Sequence, residues 1–190
     1  TEYEISSAAD LAGLSHILWN RPGATNNIFT GKTIKLTKDI DLNNKEWRPI
    51  GLSKNVNDVD KGKWFGSFDG QGHTIYNLNL TGDYQHAGLF GYTGSNEMRI
   101  ENLIIENVTI ANSSSSKPAT GALVGKVNGD KCTISNVKVT GNINIQGEQF
   151  VGGLVGYARN TIENCRVEAS GSISSTYNDA GGLVGVYWAY

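Results

Sequence analysis

Two short words alternate along this chain, and together they constrain its fold more than any other feature. The first is Gly88-Leu89-Phe90-Gly91, Gly121-Ala122-Leu123-Val124-Gly125, Gly152-Gly153-Leu154-Val155-Gly156 and Gly181-Gly182-Leu183-Val184-Gly185, with closing glycines 34, 31 and 29 residues apart. The second is Ile75-Tyr76-Asn77-Leu78, Ile100-Glu101-Asn102-Leu103, Ile134-Ser135-Asn136-Val137 and Ile162-Glu163-Asn164-Cys165, with asparagines 25, 34 and 28 apart. A period of this size marks a solenoid or array, in which each repeat is one supersecondary unit that buries its apolar side only by stacking on its neighbours.

The stretches after each asparagine alternate apolar and polar residues, as in Val137-Lys138-Val139-Thr140 and Asn142-Ile143-Asn144-Ile145. Period-2 alternation with β-branched residues reads as strands with one buried face. Short strands repeating every 25–34 residues predict an all-β, right-handed parallel β-helix. In this register Ile75, Ile100, Ile134 and Ile162 form one internal column. Leu78, Leu103, Val137 and Cys165 form a second, and Leu80, Ile105, Val139 and Val167 a third. Each such side chain contributes roughly 1.5–3 kcal/mol when fully buried. Asn77, Asn102, Asn136 and Asn164 then make a structural asparagine ladder at a bend, because Asn tolerates left-handed backbone and its amide reaches adjacent coils. Glycines 91, 125, 156 and 185 are expected to turn a second corner, with Tyr92, Lys126 and Tyr157 outward after it.

The start of the chain differs. Ser7-Ala8-Ala9-Asp10 resembles a capping box, Leu11, Leu14, Ile17 and Leu18 follow at helical spacing, and Arg21-Pro22-Gly23 ends the run. Residues 1–30 are therefore expected to be a cap with a short α-helix at about 7–19, and residues 31–190 the β-helix repeats, truncated at the C-terminal end if the chain is part of a longer parent. Residues 32–42 are expected to hold the first strand pair. Residues 53–63 read as an exposed loop, and Ser113–Pro118 as an insertion that lengthens its repeat. After the last glycine word only Val186-Tyr187-Trp188-Ala189-Tyr190 remain, so either these aromatics fold over the final coil or further domains follow.

Composition excludes several functions. The formal net charge is −2 and charged residues are 18% of the chain, which offers no field for nucleic acid or an anionic membrane. No apolar run approaches the ~20 residues that span a bilayer. Gly121–Lys126 is too short for a phosphate-binding loop, and Val127 stands where Ser or Thr would hold magnesium. His16, His73 and His86 lack metal spacing, so neither metal nor cofactor is expected. Cys165 reads as a buried thiol in a register different from Cys132, and no disulfide is expected.

The glycine word, the Ile-x-Asn word and Trp64-Phe65-Gly66-Ser67-Phe68-Asp69-Gly70-Gln71-Gly72-His73-Thr74-Ile75 together resemble the Glug-motif repeat proteins over residues 31–190. Such repeats occur in exported bacterial proteins, among them adhesin-type proteins, and beside the protease domain of immunoglobulin A1-cleaving metallopeptidases. The resemblance implies an extracellular or cell-surface β-helix and supplies no catalytic residues. No His-Glu-x-x-His stands in this chain.

The expected function is a noncatalytic surface or secreted module for adhesion, ligand binding or display, with glycans or host extracellular proteins as partners. The alternatives are a carbohydrate-active β-helix enzyme and a structural stalk. Glycoside cleavage needs two carboxyls flanking the bond; Asp39, Asp41, Asp58, Asp60 and Asp69 are the candidates, and no carboxylate recurs in the sequence at matching positions beside Arg or Lys. Aromatic rings outside the core columns, Trp47, Trp64, Tyr76, Tyr84, Tyr92 and Tyr157, form the candidate ligand face. For Trp47 and Trp64 the favoured reading is a packed position beneath the 53–63 loop.

Overall fold

A computed structural model describes residues 1–19, 28–51, 62–64, 66–94, 97–129 and 131–188. The chain winds into a parallel β-helix, coil upon coil. Strand β1 (Glu2–Ile5) is followed by helix α1 (Ala8–Trp19), and the next coil carries β2 (Thr33–Leu36) and β3 (Ile40–Asp41). Above it lie β4 (Ser67–Asp69), β5 (Thr74–Gly82), β6 (His86–Ala87) and β7 (Phe90–Thr93). The following coil holds β8 (Met98–Asn112), β9 (Ala119–Gly121) and β10 (Val124–Val127), and the next β11 (Cys132–Gly147), β12 (Phe150–Gly152) and β13 (Val155–Ala158). The last coil holds β14 (Thr161–Glu163), β15 (Arg166–Ser175), β16 (Ala180–Gly181) and β17 (Val184–Tyr187).

Three parallel sheets form the walls. The first runs β1-β2-β4-β8-β11-β14, with β3, β5 and β15 continuing the same ladder. The second stacks β6, β9, β12 and β16, and the third β7, β10, β13 and β17. The ladder begins at Glu2↔Thr33, before the helix, so β1 already belongs to the solenoid rather than to a separate cap.

The hydrogen-bonded register corrects the predicted columns. Ile34, Phe68, Ile100, Ile134 and Ile162 stand one above another. Ile75 instead joins Ile40, Ile105, Val139 and Val167. Leu78 pairs with Val108 and Leu80 with Ile110, so the whole β5 stretch sits five residues further along the coil than expected. The cause is visible in β8, where the Ile-Glu-Asn word occurs twice, at Ile100-Glu101-Asn102 and at Ile105-Glu106-Asn107. Ile75-Tyr76-Asn77 matches the second copy, and Phe68-Asp69 takes the place opposite the first.

There are accordingly two asparagine ladders, each started by an aspartate. Asn136 Nδ2 donates to Asn102 Oδ1 at 3.1 Å, and Asn102 Nδ2 donates to Asp69 Oδ1 at 3.0 Å. In the other ladder Asn107 Nδ2 donates to Asn77 Oδ1 at 3.3 Å, and Asn77 Nδ2 to Asp41 Oδ1 at 2.8 Å. Asn77, Asn102, Asn107, Asn136 and Asn164 all have φ between 52° and 60°. That left-handed region costs most residues about 1–2 kcal/mol and costs Asn less, since its short amide bonds locally. Above Asn107 the chain inserts one extra residue, a bulge at Thr140/Ile143, and the Asn142 amide donates to Asn107 Oδ1 at 3.0 Å.

The closing glycines do not turn the chain. Gly91, Gly125, Gly156 and Gly185 lie inside β7, β10, β13 and β17, and the corner is made just before them, at the Leu of the word. They are required because the third sheet presses on the second. A Cβ on Gly125 would stand 2.6 Å from the Ala87 nitrogen and 2.8 Å from the Ala119 carbonyl oxygen; on Gly185 it would stand 2.7 Å from the Val151 nitrogen. Both residues before each closing glycine are buried in the first three words, so Leu89 and Phe90 face the core together, as do Leu123 and Val124.

Helix α1 carries its own start. Asp10 N donates to Ser7 Oγ at 3.2 Å, and Ser7 Oγ donates to Asp10 Oδ2 at 2.7 Å. Leu11, Leu14 and Leu18 enter the common core, whereas Ile17 is exposed; the fourth inward position is Ser15, whose Oγ donates to the Pro49 carbonyl at 3.2 Å. The predicted 53–63 loop falls mostly outside the described residues. Tyr187 and Trp188 are exposed and do not fold over the final coil. Cys132 and Cys165 are free thiols, and burial pushes Cys132 up to about 12.

Two substitutions test this account. Asn107→Ala should destabilise by about 2–3 kcal/mol, adding backbone strain to lost hydrogen bonds, while Asn107→Gly, which relieves the strain, should cost about half as much. Equal urea midpoints for the two variants would show that conformation plays no part. Gly156→Ala, whose Cβ would lie 2.7 Å from the Gly125 carbonyl oxygen, should cost about 3 kcal/mol or more, because only backbone surrounds it.

Candidate functional site: a cation and tyrosine column on the third sheet

The six predicted aromatics do not form one face. Trp47 and Trp64 are buried: Trp47 Nε1 donates to the Leu89 carbonyl at 3.1 Å, and Trp64 packs between Phe29 and Phe90 with centroid distances of 5.0 and 5.6 Å. Both are core, which removes them from the ligand face. Tyr76 is half-buried on the outside of the first sheet, paired with Asp41 and Glu106. Tyr84 makes an edge contact with Trp19, 6.4 Å between centroids, near the end of the helix.

Tyr92 and Tyr157 do come together, through the residue between them. The register places Lys126 of β10 directly between Tyr92 of β7 and Tyr157 of β13. Strand alternation turns all three outward, because the residues on either side of each, Gly91 and Thr93, Gly125 and Val127, and Gly156 and Ala158, are buried. Lys126 Nζ lies 5.4 Å from the Tyr92 ring centre and 5.1 Å from that of Tyr157. Below, Lys63 Nζ lies 4.7 Å from the same Tyr92 ring, and to the side Phe150 meets Tyr157 at 5.7 Å. The lysine stems cover ring surface while the ammonium groups meet ring faces. None of the four strands of this sheet carries a carboxylate.

The electrostatics follow from that composition. Burial, then the charges of Lys63 and Arg159, hold the Lys126 ammonium below the usual lysine range. Beneath the column His86 is buried against Tyr92, 4.9 Å between ring centres, and its Nδ1 has no hydrogen-bond partner among the described residues. Burial, then Lys126 and to a smaller degree Lys63, push its imidazole down to about 3. Sequence reasoning placed Tyr92, Lys126 and Tyr157 in one outward column but missed Lys63, Phe150 and His86, which reach it from outside the glycine word.

Of the candidate aspartates, Asp39, Asp41 and Asp69 have structural partners. Asp39 Oδ1 accepts from the Thr74 amide at 2.9 Å and contacts His73 Nδ1 at 3.1 Å; Asp41 and Asp69 start the ladders and accept from the Asn43 and Gln71 amides. These bonds hold the carboxyls of Asp39 and Asp41 below the usual range. Asp58 and Asp60 lie outside the described residues. Among the described residues no three His, Cys, Asp or Glu side chains are grouped to hold a metal ion, and no helix is long and apolar enough to cross a membrane.

A parallel β-helix whose coils are punctuated by Gly-Leu-Val-Gly words is the class that fold and sequence define. The chain carries a Glug motif: the family model described as the GLUG motif matches residues 150–174. It is 32% identical over 181 residues to halomucin of Haloquadratum walsbyi, covering 92% of this chain and 2% of that protein. It is 35% identical over 167 residues to an immunoglobulin A1 protease of Streptococcus sanguinis, covering 85% of this chain and 8% of that protein. The chain thus spans only a small part of the length of these relatives. A crystal structure of a provisionally assigned immunoglobulin A1 protease from Bacteroides ovatus shares the fold, with a TM-score of 0.58 at 18% identity over 98% of this chain and 62% of that one.

Neutral His86 makes stability depend on pH. The unfolded chain takes up a proton below about 6.5, whereas the folded imidazole resists down to about 3. Stability is therefore complete above the unfolded value and is lost progressively as pH falls towards the folded one. Urea midpoints should decline between about pH 6.5 and 4.5, above the range of ordinary carboxylates. His86→Leu should remove most of that slope; an equally steep decline in the variant would assign it to another group.

Proposed function

We propose that this chain is a noncatalytic recognition module of a cell-surface or secreted repeat protein, and that its third sheet binds anionic glycans. The observation that carries the reading is the Tyr92–Lys126–Tyr157 column. It sets two rings and an ammonium group on successive coils of a sheet without carboxylates. A flat ring stacks on a sugar face, and the ammonium group attracts a uronate carboxylate or a sulfate. Coils in register repeat the element at strand spacing, about 4.8 Å, which suits an extended polymer better than a compact ligand. The Glug motif and the relatives named halomucin and immunoglobulin A1 protease support placement within a larger exported protein.

Polygalacturonate and heparin are the probes. Calorimetric titration should show binding to at least one of them, weakening as salt rises. Lys126→Met, which keeps the stem between the rings, should reduce affinity about tenfold, as expected for a lost charge-assisted bond. Tyr76→Ala, on another sheet, should leave it unchanged. Absence of binding to both polymers, or binding indifferent to Lys126→Met, would leave the module as a spacer.

A further inference from the structure

We propose that the upper face of the last coil is a docking surface for a further parallel coil of the same repeat type, carried onward by the same polypeptide. The columns that lower coils bury reach this face partly uncovered. Ile134, Val139, Ile145 and Val155 are buried, yet Ile162, Val167, Ile173 and Val184, which stand directly above them, are only half-buried. Beside them lies an open groove of about 520 Å³ whose lining includes Cys165, Val167, Ala169, Ile173 and Leu183. Its one charged lining residue, Arg166, pairs with Glu168 at 3.5 Å. The first coil has α1, whose Leu11, Leu14 and Leu18 join the core; no such element follows the last coil among the described residues.

The backbone of this face is left open in the same way. In each lower coil the leucine of the glycine word donates its amide to a carbonyl of the coil above: Leu89 to Ala122 at 3.0 Å, Leu123 to Leu154 at 2.9 Å and Leu154 to Leu183 at 2.9 Å. The Leu183 amide has no such acceptor among the described residues, and β14, β15, β16 and β17 pair only with the coil below. An unpaired edge templates another strand unless it is blunted, for instance by proline. None of these four strands contains a proline.

Gly182 identifies the kind of strand that fits. Gly88 and Gly153 precede the leucine in their own words, and a Cβ there would collide with a carbonyl oxygen of the coil above, that of Gly121 at 2.5 Å and that of Gly182. Ala122 is the largest residue at this place. Gly182 has no left-handed φ, and no atom lies within 4 Å of where its Cβ would stand. Neither conformation nor crowding within the described residues calls for glycine at 182, whereas a carbonyl on a further coil would. The occupant is therefore a parallel coil in the register of those below. The backbone is in phase to supply it, since the Trp188 amide still donates to the Ala158 carbonyl at 2.9 Å. The relatives leave room for it, because the region matched is 2% of halomucin and 8% of the immunoglobulin A1 protease. The docking face is independent of glycan binding by the third sheet.

The test is to insert a copy of residues 159–187 directly after Tyr187, one glycine interval of 29 residues, with Cys165→Val in the copy. Hydrogen exchange at the original Leu183 and Val184 amides should slow about tenfold or more, as expected of groups that pass from an open edge to an internal coil. Reaction of the original Cys165 with a thiol reagent should slow comparably. Gly182→Val separates docking from general stability. In the chain of 190 residues it should leave the urea midpoint unchanged, because its side chain meets nothing. In the lengthened chain it should restore fast exchange and fast labelling. An added coil that stays unstructured, rates that are the same with and without it, or protection that survives Gly182→Val would each overturn the proposal. So would protection in the unlengthened chain that rises with protein concentration, since the occupant would then be a second copy.

Discussion

Everything in this chain answers to the parallel hydrogen-bond ladder that fixes which residue stands over which. Because the strands of successive coils run the same way, each position acquires a vertical neighbour, and like stacks on like. The interior becomes columns such as Ile34, Phe68, Ile100, Ile134 and Ile162. The bends become asparagine ladders, where left-handed backbone and a bridging amide are needed at the same place. The outside becomes the Tyr92, Lys126 and Tyr157 column. A single coil has none of these neighbours, so fold, bends and surface chemistry depend on the same stacking.

Much of the fold was legible because stacking writes itself into sequence as recurrence. The glycine words carried the vertical register of Tyr92, Lys126 and Tyr157, although their closing glycines lie within strands and not at the expected corner, and the alternation after each asparagine named the long strands of the first sheet. The misplacement of β5 has a physical source. The Ile-x-Asn word marks a bend, and β8 bends twice within five residues, so one word had two true homes. The 25-residue interval between Asn77 and Asn102, short against glycine intervals of 34, 31 and 29, carried that information. What could not be read was depth. Trp47 and Trp64 lie outside the recurring words, so a packed position could be expected for them but not located; the structure sets Trp64 against Phe90 and Trp47 on the Leu89 carbonyl.

The surface follows the same division. Walls are regular, and a wall can offer only what a column repeats, here rings and an ammonium group. Corners are irregular, since their length does not disturb the ladder on either side. Glu148 and Gln149 make the shortest corner of the three uppermost coils, between longer ones at Ser113–Pro118 and Thr176–Asp179. Such a feature leaves no periodic trace, whereas the tyrosine and lysine column stands at a fixed offset from the glycine word and was visible from it.

The close approach of the second and third walls has a consequence for how this architecture can drift. Where Gly125, Gly156 and Gly185 face bare backbone, no side chain remains to be trimmed when another grows. That side acts as a rigid gauge for every coil. Changes of interior volume have to be absorbed on the opposite wall, where Phe68 already stands in a column of isoleucines and Val139 and Val167 continue one begun by Ile40. Tolerance to mutation should therefore be lopsided around the coil, generous along the first sheet and nearly nil along the seam of glycines.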